Sequence, residues 1–280
     1  MADYNPIKLA ITRSDGVTGL DENHDMGFGL TELMGIEYPT PEIFTANKGL
    51  GDGAFITGKR LEARTVELHM KAKGRTPAEI FAARRQAMRF FDPNYSFDLA
   101  ITFDDFGASA PVTRTLKDCE ITAISLPTVQ TDTPQPDLTI QFLAPSAYFE
   151  GATHTETETD ATTWTVTSDA DTRSRFVMNI TVKSATAYIL YVTANGGERA
   201  DIYPPSQSNF YAGDVVTIDT ATATVYINGA NPYPLPAYAA QPIFDSFWIN
   251  PGTNTFVITS HPGNSAFDVT IEYTERWLGV

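Results

Sequence analysis

The stretch Arg64-Thr65-Val66-Glu67-Leu68-His69-Met70-Lys71-Ala72 sets Val66, Leu68, Met70 and Ala72 against Glu67, His69 and Lys71. Apolar and polar residues alternate with a period of two, which is the pattern of a strand with one face in a core and the other in solvent. The alternation returns near the other end of the chain, where Phe267, Val269, Ile271 and Tyr273 interleave with Asp268, Thr270 and Glu272. Between them lie further strand-like runs at Phe97 to Phe103, Leu116 to Leu126 and Leu138 to Leu143. In the second half Phe176, Met178, Ile180 and Val182 alternate, Tyr188 to Val192 is a denser apolar run, and Val216, Ile218, Val225, Ile227, Phe256 and Ile258 follow. Asn228-Gly229 is a tight-turn signal. Short strands separated by turn residues build sandwiches or jelly rolls.

One segment breaks the pattern. Thr76-Pro77-Ala78-Glu79 is a capping box with proline at the first helical position. Ile80, Ala83, Ala87 and Phe91 then recur at helical spacing with Met88 beside them, and Asp92-Pro93-Asn94 stops the run, which predicts a helix over about 76–91. Arg84 falls inside the apolar stripe. It reads either as a buried or interface ion-pair arginine, or as a stem on apolar surface with its head in water. The fold class expected is therefore mainly β with one principal helix.

Composition agrees. Among the 280 residues are 17 Phe, 12 Tyr and 3 Trp, with 42% hydrophobic and 19% charged residues, a globular balance that favours pleated surfaces. The net charge of −15 argues against a nucleic-acid binder, which must neutralise phosphates with Lys and Arg, and against docking on anionic lipid. No apolar run approaches the ~20 residues of a membrane helix. Met1 to Pro6 lacks the basic and apolar regions of a secretory signal, so a soluble protein made in a cytoplasm is expected.

Around residues 145–160 the texture changes. Ala144-Pro145-Ser146-Ala147 gives way to the polar, acidic Thr153-His154-Thr155-Glu156-Thr157-Glu158-Thr159-Asp160, which has no apolar face. A domain boundary is expected there, dividing the chain into 1–147 and 148–280.

Candidate chemistry is sparse. Gly53-Ala54-Phe55-Ile56-Thr57-Gly58-Lys59-Arg60 nearly matches a phosphate-binding P-loop, but Arg60 stands where the Mg²⁺-binding hydroxyl belongs, and a strand pattern follows instead of a helix. The plainer reading is a glycine-rich loop, Gly49 to Gly53, between strands. Asp104-Asp105 would point to opposite faces of a strand. Asp169-Ala170-Asp171 has the spacing of the start of a Ca²⁺ loop without the rest of it. His24, His69, His154 and His261 are isolated, so no zinc motif forms. The lone Cys119, in a strand-like context, reads as a small buried residue more readily than as a nucleophile. Trp164, Trp248 and Trp277 are either core aromatics or platforms for stacking a sugar. No cofactor, no metal and no catalytic set is expected, and the chain reads as a non-enzyme.

Four features taken together resemble the siphophage distal tail protein family. They are Gly51-Asp52-Gly53 leading into Arg64 to Met70; the helix at 76–91 with strands after it; Val225-Tyr226-Ile227-Asn228-Gly229 followed by Phe247-Trp248-Ile249-Asn250-Pro251-Gly252-Thr253-Asn254; and the terminal Val269 to Val280. In the third, Pro251-Gly252 makes a tight turn and Asn254 can bond local backbone as the next strand begins. The resemblance implies an N-terminal β-sandwich-like hub domain, a C-terminal galectin-like jelly roll, and a homo-hexameric ring at the tail tip of the virion. That ring would join the tail tube protein to tail-associated, hub or baseplate proteins and let genomic DNA pass without binding it. Gly51, Gly53, Arg60, Arg84, Pro251, Gly252, Asn254 and Trp277 are the structural and interface candidates. The first-half sheet, the long hairpin region over Lys59 to Lys73 and the glycine-rich loop are expected to carry the ring contact. The alternative is a carbohydrate-binding tail protein acting on host glycan through the jelly-roll half.

Overall fold

The computed structural model describes residues 7–20, 26–47, 54–74, 76–103, 111–125, 137–160, 162–183, 189–197, 199–204, 209–234, 247–261 and 266–279. The chain divides into two units, Met1–Glu150 with Trp277–Val280, and Gly151–Arg276. The second is thus inserted into the first. The chain passes into it along one strand and returns along another.

Unit 1 contains β1 (Ile7–Arg13), β2 (Thr18–Leu20), β3 (Phe28–Met34), β4 (Pro41–Asn47), β5 (Ala54–Leu61), β6 (Arg64–Ala72), α1 (Pro77–Phe90), β7 (Phe97–Phe103), β8 (Val112–Ser125), β9 (Asp137–Ala144) and the start of β10 (Phe149–Glu158). Two antiparallel layers, β2-β1-β7-β8 and β3-β6-β9-β8, share β8. Its first part pairs with β7 (Phe97 with Cys119, Phe103 with Val112) and its second with β9 (Glu120 with Leu143, Ser125 with Thr139). The change of partner falls at Asp118, whose φ of 53° lies in the left-handed region that an Asp tolerates better than most residues. Its backbone N–H donates to Asp98, which also pairs with Lys117 at 2.7 Å.

The alternation that opened the sequence is met residue by residue. Val66, Leu68, Met70 and Ala72 are buried, with Leu138, Ile140 and Phe142 of β9 beside them and Ile11, Leu99, Ile101 and Leu116 of the other layer in the same core. The helix begins as expected. Thr76 accepts from the Glu79 N–H, and the Glu79 carboxylate accepts from the Thr76 N–H at 3.0 Å. Its buried face is Ile80, Ala83, Ala87 and Phe90. Phe91 is buried from the C-cap position, and Phe90, Phe91, Phe97 and Phe142 pack mostly edge to face. Met88, expected beside the stripe, is instead 57% exposed.

Unit 2 contains the rest of β10, then β11 (Thr163–Ser168), β12 (Phe176–Val182), β13 (Ile189–Ala194), β14 (Arg199–Ile202), β15 (Val215–Asp219), β16 (Thr224–Ile227), β17 (Ala230–Pro234), β18 (Gly252–His261) and β19 (Phe267–Trp277). One layer runs β17-β16-β15-β12-β19-β10 and the other β11-β18-β13-β14. Alternate residues of β12, β13, β18 and β19 fill the space between them, with Trp164 stacked on Phe256 at 5.3 Å. Asn228 and Gly229, at φ of 54° and 69°, join β16 to β17 with the two positive φ values that suit a hairpin twist. The acidic stretch after residue 150, with no apolar face, is a strand through Glu158. β10 is held there by hydroxyl pairs Thr153–Thr274 and Thr157–Thr270 and by His154 beside Glu275 at 3.2 Å. A strand bonded through its backbone needs no apolar face to persist.

Candidate assembly interface

In unit 1, β4 and β5 pair, among the described residues, only with each other, from Pro41 with Leu61 to Asn47 with Ala54. The expected Lys59–Lys73 hairpin does not form. β5 turns back on β4, while β6 lies between β3 and β9. Which neighbour a strand chooses is a matter of tertiary register, and adjacency in sequence does not decide it. The β4–β5 ribbon buries little of itself: Ile43, Phe44, Phe55 and Ile56 are 51%, 39%, 59% and 60% exposed. An isolated two-stranded ribbon is marginal in water, which makes its exposed apolar side chains a candidate contact surface. Arg60 lies on β5 with its guanidinium 5.1 Å from the Phe44 ring and paired with Glu42. Gly51 and Gly53 lie outside the described residues.

A second apolar surface lies at the helix. Phe81 and Met88 project outward, and Ala87, Met88, Phe91, Pro93, Ile124 and Leu138 line a shallow groove. Arg84 is half-buried on the same helix.

Among the described residues of unit 1, Arg64 is a closely held cation that the alternating pattern alone does not mark as a site. Arg64, only 4% exposed, donates to the carbonyls of Gly35 at 2.9 Å, Ala147 at 3.0 Å, Leu278 at 2.6 Å, and Glu37, with its guanidinium 4.7 Å from the Phe149 ring. Burial holds its pKa below the ordinary arginine value, with Glu37 acting the other way. The guanidinium stays charged regardless, and carbonyl dipoles take the place of water. Gly35 sits at φ 81°, where a Cβ would meet the Thr65 carbonyl oxygen at 2.0 Å. A signal existed, since Arg64 shares the parity of Val66, Leu68 and Met70. Trp277, half-buried, packs against the unit 1 core with the Arg114 guanidinium 3.8 Å from its ring, and Arg114 donates to the Gly279 carbonyl. The residues 277–279 are therefore tied into unit 1 by two arginines.

In unit 2, Pro251-Gly252 turns with Gly252 at φ 83°. Asn254, wholly buried, closes the turn. Its Oδ1 accepts from the Asn250 N–H at 2.7 Å and from Asn195, and its Nδ2 donates to the carbonyls of Asn250 at 2.7 Å and Gly252 at 3.0 Å. The geometry of Pro251, Gly252 and Asn254 is that of a turn. Trp164 is 6% exposed, and Trp248 carries two arginines, Arg173 and Arg175, on its ring.

Reactive chemistry is scarce among the described residues. No group of three or more His, Cys, Asp or Glu is gathered, and no helix is long and apolar enough to cross a membrane. The Cys119 thiol is buried, and its pKa is pushed up to about 12 by burial first and then by Asp98, Asp118 and Glu120. A thiol held protonated is a poor nucleophile.

The described residues thus form two β-sandwich units, the second inserted in the sequence of the first, with most of the exposed apolar side chains in unit 1. Residues 167–277 match the family model described as siphovirus-type tail component, C-terminal domain. The solved structure of phage SPP1 Dit, described as a paradigm of the hub adsorption apparatus in Gram-positive-infecting phages, is similar with a TM-score of 0.65 over 96% of this chain and 98% of that one. At 14% identity, this likeness is one of fold. A chain of the phage P2 baseplate in its activated conformation with Ca aligns over 98% of this chain and 99% of its own at 8% identity, with a TM-score of 0.42. No curated protein matches the sequence. The resemblance to siphophage distal tail proteins is supported by the family match in unit 2 and by the fold as a whole.

Proposed function

We propose that the chain is a distal tail protein of a siphophage, a non-enzymatic subunit of the virion's tail tip. It forms a homo-hexameric ring between the tail tube and the hub or baseplate proteins and leaves a passage for the genome. The family match over residues 167–277 carries this reading. A closed ring needs a head-to-tail contact between two different patches of one subunit. Unit 1 supplies two candidates, the apolar β4–β5 ribbon with Arg60 and the helix surface around Phe81 and Met88. The net charge of −15 suits a passage that must not hold DNA, because each added Lys or Arg would bring sequence-independent attraction to phosphate. The carbohydrate-binding alternative gains no support from its tryptophans: Trp164 is buried and Trp248 is covered by arginines.

Light scattering on the purified full chain, with negative-stain images of the same sample, tests the proposal. Six-fold rings with a central hole are expected, and those rings should leave duplex DNA unretarded at low salt. A monomer that binds host glycan through unit 2 would overturn it.

A further inference from the structure

The isolated bridge between Ser174 and Ile249 in unit 2 fixes an arrangement that neither sequence segment reveals alone. Ser174 N–H donates to the Ile249 carbonyl at 2.8 Å, and Ile249 N–H donates back at 3.0 Å. Ser174 and Ile249 are both wholly buried, so their neighbours face the other way. Antiparallel pairing then sets Arg175 opposite Trp248 and Arg173 one diagonal step away, all on one outward face. The distances agree: the guanidinium carbons of Arg173 and Arg175 lie 4.4 Å and 4.5 Å from the Trp248 ring centroid.

Two like charges on one indole repel each other, and among the described residues no carboxylate lies within ion-pair distance of either. Arg175 donates to the Thr220 carbonyl, Arg173 has no hydrogen bond among the described residues, and the indole N–H of Trp248 is buried without an acceptor. The indole N–H is out of a ligand's reach, so the donors the cluster offers are those of the two guanidiniums, of which, among the described residues, only the Thr220 carbonyl takes one. An ionised carboxylate, which only accepts and takes the arginine fork in two parallel bonds, is the complement of such a set. The surroundings narrow the choice. A long polyanion would meet the repulsion of a chain at −15, while a short acidic segment would not have to extend beyond the two arginines. A sugar would need an open ring face for stacking, and the guanidiniums already occupy the Trp248 ring.

We propose that Arg173, Arg175 and Trp248 form a docking site for a short acidic peptide segment of a partner protein, whose carboxylate bridges the two guanidiniums. Arg and Trp are the residues that most often dominate the binding energy of protein interfaces. The site lies in unit 2 and does not depend on the ring contact assigned to unit 1.

The test uses the full chain labelled with 5-fluorotryptophan, whose three resonances are assigned by their loss in single Trp→Phe variants. An acetylated, amidated tetraglutamate peptide is titrated in, with tetraglutamine and oligoglucuronate as comparators. A saturable shift of the Trp248 resonance is expected with tetraglutamate. Affinity should fall at least about tenfold for tetraglutamine and for Arg173→Gln/Arg175→Gln, about 1.4 kcal/mol. It should also weaken as salt is raised. Unmoved Trp164 and Trp277 resonances show that the double variant is folded; if they move, Arg173→Gln alone gives the reading. No saturable shift, an equal response to tetraglutamine, or unchanged affinity in the variant would overturn the proposal. Tighter binding of oligoglucuronate would overturn the peptide assignment in favour of an acidic glycan.

Discussion

The two units are built alike and finished differently. Each is a pair of antiparallel layers around an apolar core. Yet among the described residues, unit 1 leaves Val17, Met34, Tyr38, Ile43, Phe44, Phe55, Ile56, Phe81, Met88, Val112, Ile124 and Leu143 exposed, while unit 2 leaves Tyr203 and Tyr211. Scattered apolar residues on a surface are ordinary; a ribbon carrying four of them is not. Unit 2 turns its apolar residues inward and offers charge, as at Arg173 and Arg175. Unit 1 keeps apolar side chains at its surface, the patches proposed above for the subunit contact. The units differ inside as well. The key buried polar group of unit 1 is a cation gathering carbonyls from distant segments, whereas that of unit 2 is a neutral amide closing a turn a few residues long.

The largest effect should come from breaking the first of these. Arg64→Ala leaves several buried carbonyls without a donor. At about 1–3 kcal/mol for each buried group left unsatisfied, the total loss should exceed about 3 kcal/mol, which chemical denaturation should register in unit 1. A loss below about 1 kcal/mol would mean that water replaces the guanidinium. Asn254→Ala should cost less, about 1–3 kcal/mol, because fewer and neutral hydrogen bonds are lost, and the loss should appear in unit 2 alone. If both variants destabilise the same transition equally, the units do not unfold separately and the comparison weakens.

Cys119 gives a smaller, pH-dependent signature of unit 1. Its folded pKa of about 12 lies above the usual 9.0. Between those values the unfolded chain loses a proton that the folded chain keeps. Stability is therefore full below pH 9.0 and falls as pH rises toward 12, by up to about 1.4 kcal/mol per pH unit. Cys119→Ser should flatten that slope. The smallest effect on folding is expected on the ribbon. Phe55→Asp with Ile56→Asp should change stability by only about 0.5 kcal/mol while abolishing rings in negative stain. Rings that survive would place the subunit contact elsewhere.

Much of the architecture was legible because it is local. The parity of β6 names its buried residues, and Thr76 with Glu79 marks where α1 starts. What could not be read depends on which distant segments meet. The pairing of β5 with β4 rather than within a hairpin over Lys59–Lys73 could not be read, because sequence order does not say whether β5 turns back or goes on. The role of Arg64 needs Gly35, Ala147 and Leu278 to converge, and the pairing of Trp248 with Arg175 needs the Ser174–Ile249 bridge. Asn254 lay within reach of sequence reasoning because its partners Asn250 and Gly252 are close by in the chain.

The hydrogen bond from Arg64 to the Leu278 carbonyl spans 214 residues. At the usual pace of synthesis, about 5–20 residues per second, the arginine waits roughly 10–40 s on the ribosome for its last acceptor. All of unit 2 is made in that interval. Unit 1, begun first, thus gains the Leu278 contact only after unit 2 has been translated, and the apolar ribbon belongs to that later-completed unit.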